Sequence, residues 1–518
     1  MRQLSPAIAL AALAACSSDT SVPVEPACNP LGDVVCLAPW PSSVFEIEDP
    51  GSPTGRRLAI PAGALPGNAD PAGWNLADGF SPIAPLVVAW RGGVSPDGLP
   101  PPGDPSRSLA DDSPTVLLDM TTGARVAHTV ELGSPPADPL ASQAMIMRPE
   151  ARLTAGHRYA VAVTSRVRAA DGSELAVPIG FAALRDHKST DHALLEAMRP
   201  RFADVLDALD AAGSPADQLV LAWDFTVASG ELGRRDRAAL QGRALAAIAA
   251  GPAAFAITAD APIGDGARIA RRITGTLDAP VFLTQHGAPD PGTVIARDGD
   301  GLPALQGTAP IPFTALVPAC ALAAKAPVAM VLYGHAVFGS ADDVSGERAQ
   351  AAAAASCTVI AATELRGLSE IDLPAVARML GELTTADEAI DAAWQGLVDQ
   401  LALATAMRGV LARELFVDPA RPGRPSRSLV DPTRLSYDGA AQPAGLAATV
   451  RSYATTTAPA AAAPADAPAA ASYPALLEAS AEWPEYREIL AVAYPDPIDA
   501  ELALGLVQMR WDRVVAAP

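Results

Sequence analysis

The chain carries six histidines in 518 residues, and none follows His335. Imidazole chemistry between Ala336 and Pro518 must therefore borrow its base from His128, His157, His187, His192, His286 or His335 itself. Cysteine is also sparse: five residues, with no spacing that suits a zinc site. Positive charge is in deficit, 37 Lys and Arg against 58 Asp and Glu, a formal charge of -21. That balance excludes nucleic acid as a partner, because a phosphate backbone demands a basic surface. It also disfavours adsorption to anionic lipid, and it keeps an exported chain soluble without naming a ligand. No Gly-rich phosphate motif, arginine-rich groove or metal-ligand pattern is present, so no cofactor and no metal are expected.

The N-terminus sets the compartment. Arg2 precedes an apolar run from Ala7 to Ala15, which exits through Leu13-Ala14-Ala15 into Cys16. The run is too short to span a bilayer and has the charged start, apolar middle and small-residue exit of a secretory signal. Cleavage before Cys16 and acylation of its thiol would make the membrane a partner through an N-terminal acyl anchor. Each buried methylene then contributes about 0.8 kcal/mol. An ordinary signal peptide cut elsewhere, leaving Cys16 incidental, is the competing reading. Ser17 suits delivery to the outer membrane of a double-membrane bacterium, so a cell-envelope location is expected. Export permits disulfides. Cys28 and Cys36 enclose a short loop with Pro30 and Gly32 and are expected to pair. Cys320 and Cys357 can pair or remain two buried thiols.

Half of the residues are apolar and 50 are proline, about twice the usual 5% for proline. The chain should therefore be globular and loop-rich, with about three domains. Residues 1–15 read as signal peptide and 16–43 as a lipidated tether. Residues 44–190 form a β-rich region, with strands at Leu86–Trp90, Thr115–Asp119, Ala144–Met147 and Tyr159–Thr164 and an alternating start at Ser43–Ile47. Residues 191–320 mix helices (192–211, 234–250) with strands (218–226, 254–257, 268–274) and should pack on the C-terminal region. Residues 321–518 alternate strand (328–333), loop, helix (346–355) and strand (357–362). A long helical region continues over 373–414, broken near Leu383–Ala386. That order builds a parallel sheet, so the fold class is α/β. The Ala/Pro tract 458–471 offers little to bury.

The loop Gly334-His335-Ala336-Val337 follows a strand and precedes a helix. Backbone amides presented there can stabilise an oxyanion. Other polar clusters read as structural. His157 sits in a turn entering a strand. Asp186–His192 precedes a helix, with Thr190 or Asp191 as cap. Asp298-Gly299-Asp300-Gly301 lacks the ligand series of a calcium loop and reads as a hairpin turn. Leu397, Leu401, Ala404 and Leu411 mark an apolar helix face.

Several stretches, in order, resemble a family of bacterial exported lipases and esterases, the virulence-factor-lipase-like lipoproteins. They are Asp49–Arg57, Asp78–Pro82, Ala222–Val227, Tyr333–Gly339, Gly367–Glu370, Leu429–Gly439 and Ala493–Pro497, spread over most of residues 45–513. The resemblance implies a β-rich N-terminal region before an α/β-hydrolase domain, here truncated or degenerate over 321–518. It makes Gly334, His335, Ala336 and Val337 the remnant of an oxyanion loop. It also places a Gly-x-Ser-x-Gly elbow after the strand near Leu429, where the strained turn exposes a nucleophilic serine. In this chain Gly439 matches the first glycine, Ala441 stands at the nucleophile and Pro443 replaces the second glycine. A methyl group cannot attack a carbonyl, and proline fixes φ and removes an amide. Ser436 and Ser452 lie outside the pattern. The family's late histidine falls beyond the segment matching Gln508–Arg513. The expectation is a lipid-anchored envelope protein derived from an esterase, without catalytic residues and with a possible small acyl or peptide ligand. Two alternatives stay open: a carboxylic-ester hydrolase with a non-standard nucleophile, and a structural or ligand-binding envelope lipoprotein.

Overall fold

The strands early in the chain pair antiparallel and are buried along most of their length, as in Thr115–Asp119 and Leu219–Thr226, whereas the later parallel strands range from the fully buried Val359–Thr363 to the largely exposed Val430–Asp438. The computed structural model describes residues 19–251, 253–285, 290–418, 426–439, 442, 444–454 and 472–515. A hairpin, β1 (Glu46–Glu48) and β2 (Arg56–Leu58), precedes β3 (Leu86–Arg91), β4 (Thr115–Asp119), β5 (Ala124–Arg125), β6 (His128–Leu132), β7 (Ser142–Pro149) and β8 (Arg158–Thr164). Helices α1 (Ile179–Arg185) and α2 (Ala193–Ala211) lead to β9 (Leu219–Thr226) and α3 (Glu231–Ala249). These strands form two antiparallel sheets, ordered β3-β7-β6 and β5-β4-β8-β9.

Expected and observed elements differ at the start. Ser43–Phe45 is a 3-10 turn rather than strand, because the Ser42 hydroxyl caps it by accepting from the Val44 amide; extended pairing begins only at Glu46. The turn is held by a buried charge cluster. Asp224 on β9 accepts from Ser43 Oγ at 2.6 Å, Arg158 Nε at 2.5 Å and Arg201 Nε at 2.8 Å, while Arg201 also reaches Glu46 at 2.9 Å.

Six strands make the second large layer: β10 (Phe255–Ala261), β11 (Ile269–Val281), β12 (Gly307–Pro318), β13 (Val328–Tyr333), β14 (Val359–Thr363) and, after a short pair β15 (Val417–Asp418) and β16 (Arg427–Ser428), β17 (Val430–Asp438). Their order is β10-β11-β12-β14-β13-β17, with β13 parallel to both β14 and β17 and the other pairs antiparallel. One sheet therefore crosses the boundary expected at residues 320/321. Region 191–320 is not a layer of its own: β9 joins the N-terminal sheet and β10–β12 join the six-stranded one. The architecture is mixed α/β, with a β-rich N-terminal region and a more helical C-terminal region.

The crossover between β13 and β14 contains α5 (Glu347–Ser356), and a short α4 (Ala319–Ala323) precedes β13. The Cys320–Cys357 disulfide joins α4 to the left-handed residue that ends α5; Cys28–Cys36 also forms. Helix α6 (Leu373–Gly381) stops at the expected break, and α7 (Ala386–Arg408) resumes. Nearly every residue of α7 is buried, as an inner helix requires. Leu397, Leu401 and Ala404 lie within it, whereas Leu411 sits in a π-turn beyond Gly409. Three polar residues of α7, Glu388, Asp391 and Gln395, share one face. They accept from the amides of Gly292, Ile295 and Phe282 at 2.8, 2.9 and 2.9 Å, so the helix is stitched to the segment after β11. Helices α8 (Ala444–Ala454), α9 (Tyr473–Glu478), α10 (Trp483–Ala493) and α11 (Pro497–Trp511) complete the chain, α11 reaching back to the N-terminal region through the Trp74 indole, which donates to the Leu506 carbonyl at 2.9 Å. The Ala/Pro tract 458–471 lies outside the described residues. No described helix is long and apolar enough to cross a membrane.

Candidate functional site

The chain leaves β13 toward β14 on one side and later places β17 on the other, so its direction of travel reverses at β13. In open α/β sheets the crevice outside the carboxyl ends of the strands at such a switch point is where ligands bind. Three loops meet there: Gly334–Ser340 after β13, Glu364–Ser369 after β14 and the turn beginning at Gly439 after β17.

The loop after β13 is folded by its own bonds. The Ala336 carbonyl accepts from the Gly339 amide at 2.9 Å and from His335 Nδ1 at 2.7 Å. His335 Nε2 accepts from the Leu365 amide at 2.8 Å, so the ring is the neutral tautomer with its proton on Nδ1. Its side chain is wholly buried, and both nitrogens are committed to backbone. Phe338, at φ 59, donates its amide to the Leu368 carbonyl at 2.7 Å, which binds this loop to the one after β14.

The turn after β17 closes on the same loop. The Gln442 amide donates to the Gly439 carbonyl at 2.8 Å. That amide thereby closes a local turn. The Gln442 side chain donates through Nε2 to the His335 carbonyl at 2.9 Å and accepts from the Tyr437 hydroxyl at 2.6 Å. Gly334 and Gly439 are both packed against it. A Cβ on Gly334 would strike the Tyr437 hydroxyl and Gln442 Nε2, and one on Gly439 would lie 2.8 Å from Gln442 Oε1. Burial pushes the Tyr437 phenol well above its ordinary range.

Carboxylates surround the other side. Glu364 accepts from the Ala341 amide at 3.0 Å and lies 3.8 Å from His335 Nε2; burial raises its pKa. Asp372 accepts from Arg366 Nε at 3.0 Å, the Gly367 amide at 2.6 Å and Ser369 Oγ at 2.8 Å. The Ser369 hydroxyl therefore serves a turn. Behind these, burial pushes Asp399 on α7 up to about 7, with Gln395 Nε2 donating to it at 2.8 Å.

The structure thus brings Gly334, His335, Ala336 and Val337 together with Gly439. Ala441 and Pro443 lie outside the described residues, as do Cys16 and His286. Ser436 is exposed on β17, and the Ser452 hydroxyl donates to the Thr449 carbonyl at 2.8 Å. The remaining described histidines are elsewhere. His128 is buried between Thr115 Oγ1 (2.9 Å) and the Val126 carbonyl (3.0 Å), and burial lowers its pKa to about 4. His157 Nδ1 lies 2.9 Å from Asp119 Oδ2 at the entry to β8. His192, not Thr190 or Asp191, occupies the cap position of α2; the Thr190 hydroxyl donates to Glu196, and Asp191 accepts from the Val22 amide. Asp298 accepts from the Asp300 and Leu302 amides, both at 3.0 Å, which makes a turn of that acidic cluster.

Tyr437, Gln442 and Glu364 are the site residues that sequence reading missed. Gln442 stands in the elbow stretch as a spacer; its polarity in a turn expected to be buried was the available signal.

No family model matches this chain, and no curated protein matches it. Among solved structures, it is similar to an acetyl xylan esterase from a Paenibacillus species at 11% identity and a TM-score of 0.26, over 54% of this chain and 78% of that one. It is also similar to a CE15 glucuronoyl esterase from Teredinibacter turnerae at 15% identity and a TM-score of 0.20, over 39% of this chain and 43% of the other.

Proposed function

We propose that this chain is a lipid-anchored cell-envelope protein built on an esterase-type fold whose switch-point site no longer performs acyl transfer. The observation that carries the reading is the double commitment of His335. An acyl-transfer base must reach the hydroxyl it deprotonates at about 2.6–3.2 Å, and this ring has a backbone partner on each nitrogen. Three further features support it. Ala441 has no attackable oxygen. The Gln442 amide is used within its own turn. The Gln442 side chain donates to the His335 carbonyl and fills the space between the two loops. Acylation at Cys16 fixes the protein to the membrane, and the folded part displays what it binds. Turnover of p-nitrophenyl butyrate by the purified chain tests the first half: hydrolysis at the buffer rate agrees with it, and saturable turnover refutes it. Palmitate labelling in a bacterial host tests the second: Cys16→Ser should lose the label, and retained label removes the anchor from that residue.

A further inference from the structure

We propose that a cleft between the N-terminal β region and the end of α11 binds a small uncharged polyol or a single sugar residue. The cleft is bounded by the segment Gly73–Pro82, the first turn of α3 and the residues that follow Met509. Its volume is about 150 Å³, the size of an engineered cavity that holds one benzene ring, so roughly six to ten non-hydrogen atoms fit inside. Its floor is rigid. The Phe80 amide donates to the Thr226 carbonyl at 2.8 Å, and the Ala228 amide donates to Phe80 at 2.9 Å. Gly79 is required there, because a Cβ would lie 2.7 Å from the Thr226 carbonyl and the Ala228 nitrogen.

The walls are mostly apolar, from Trp74, Phe80, Leu232 and Met509, with a few polar groups, the composition of a small-ligand site. Two enclosed polar atoms of residues lining the cleft, Asp78 Oδ2 and Arg513 Nε, have no protein partner, and Asp512 has the Ser81 hydroxyl beside it. Their other atoms are engaged. Asp78 Oδ1 accepts from the Ser229 amide at 3.1 Å, Asp512 Oδ1 from Gln508 Nε2 at 2.8 Å, and Arg513 Nη2 donates to Asp236 at 2.7 Å. Buried polar atoms in native proteins are almost always paired, and each left unpaired costs about 1–3 kcal/mol. A free acceptor and a free donor around one cleft point to a ligand that supplies both a donor and an acceptor.

A hydroxyl is both donor and acceptor. The charge balance favours a neutral molecule over an ion. Arg513 already faces Asp236, Arg510 faces Asp387, Arg234 faces Glu231, and the positive charge of Arg152 bears on Asp512. An entering anion would find these arginines already matched, and a cation, met only by Asp78, would carry the desolvation cost of burial.

The test uses the full chain and saturation-transfer NMR at millimolar concentrations of methyl β-glucopyranoside, glycerol and myo-inositol, with butyrate and butylammonium as charged probes. At least one of the three neutral probes should receive saturation, and neither ion should. Asp78→Ala should weaken that binding about tenfold, the loss of roughly one good hydrogen bond. Leu232→Trp, a half-buried position on α3, should fill the cleft and abolish binding with an unchanged circular dichroism spectrum. Binding of no neutral probe, equal binding of the ions, or binding untouched by Leu232→Trp would overturn the proposal.

Discussion

Gln442 donates through Nε2 to the His335 carbonyl at 2.9 Å, and that bond ties the turn after β17 to the loop after β13 across the switch point of the sheet. It fills the space between the two loops with a buried side chain.

The packing around this bond leaves no room for a methyl group at Gly334. Gly334→Ala should destabilise the chain by about 1–3 kcal/mol, the usual cost of overpacking, because its Cβ meets the Tyr437 hydroxyl. Tyr437→Phe in the same chain removes that oxygen and should recover part of the loss. Urea denaturation of the single and double variants measures the coupling, and additive effects would place the clash elsewhere.

Placing a hydroxyl at position 441, the nucleophile position of the proposed reading, should not create esterase activity. Ala441→Ser leaves both His335 nitrogens on backbone and the Gln442 side chain in place. Turnover of p-nitrophenyl butyrate should stay at the rate of the unmodified chain. A gain of about a hundredfold, the lower range for a working acid–base catalyst, would show that the ring is available after all.

Buried Asp399 makes stability depend on pH. Burial lifts its pKa to about 7 in the folded chain, against about 3.9 when unfolded. The folded state thus keeps a proton that the unfolded chain releases. Its contribution falls as pH rises from about 4 to 7 and stays low above that. Asp399→Asn keeps an acceptor for Gln395 and has no proton to lose. It should raise Tm at pH 8 and leave it little changed at pH 4. Equal shifts at both values would remove Asp399 as the cause.

The Cys320–Cys357 disulfide closes a loop with a sequence separation of 37. Loop closure on that scale is worth about 3–4 kcal/mol. Cys320→Ser should lower the denaturation midpoint accordingly, and reductant should then have no further effect through this pair.

Much of this was legible from local pattern. The break between α6 and α7 is marked by polar residues between two apolar periodic stretches. β13 and β14 are short apolar runs flanking an Ala-rich helix. The membership of β10–β12 was not legible, because alternation along Ile269–Thr274 shows that a strand has one buried face and not which sheet receives it. Gln442 was missed for a related reason. Its partners are a neighbour five residues back and a carbonyl 107 residues away, and no local spacing encodes the second.

Intact-mass spectrometry after incubation with a fluorophosphonate tests the central claim most directly. An attackable serine oxygen beside an available imidazole would take up the phosphonate in one-to-one stoichiometry. The account predicts an unmodified mass for the native chain. A single adduct that maps to a serine at the carboxyl ends of β13, β14 or β17, and that is lost on unfolding, would contradict it.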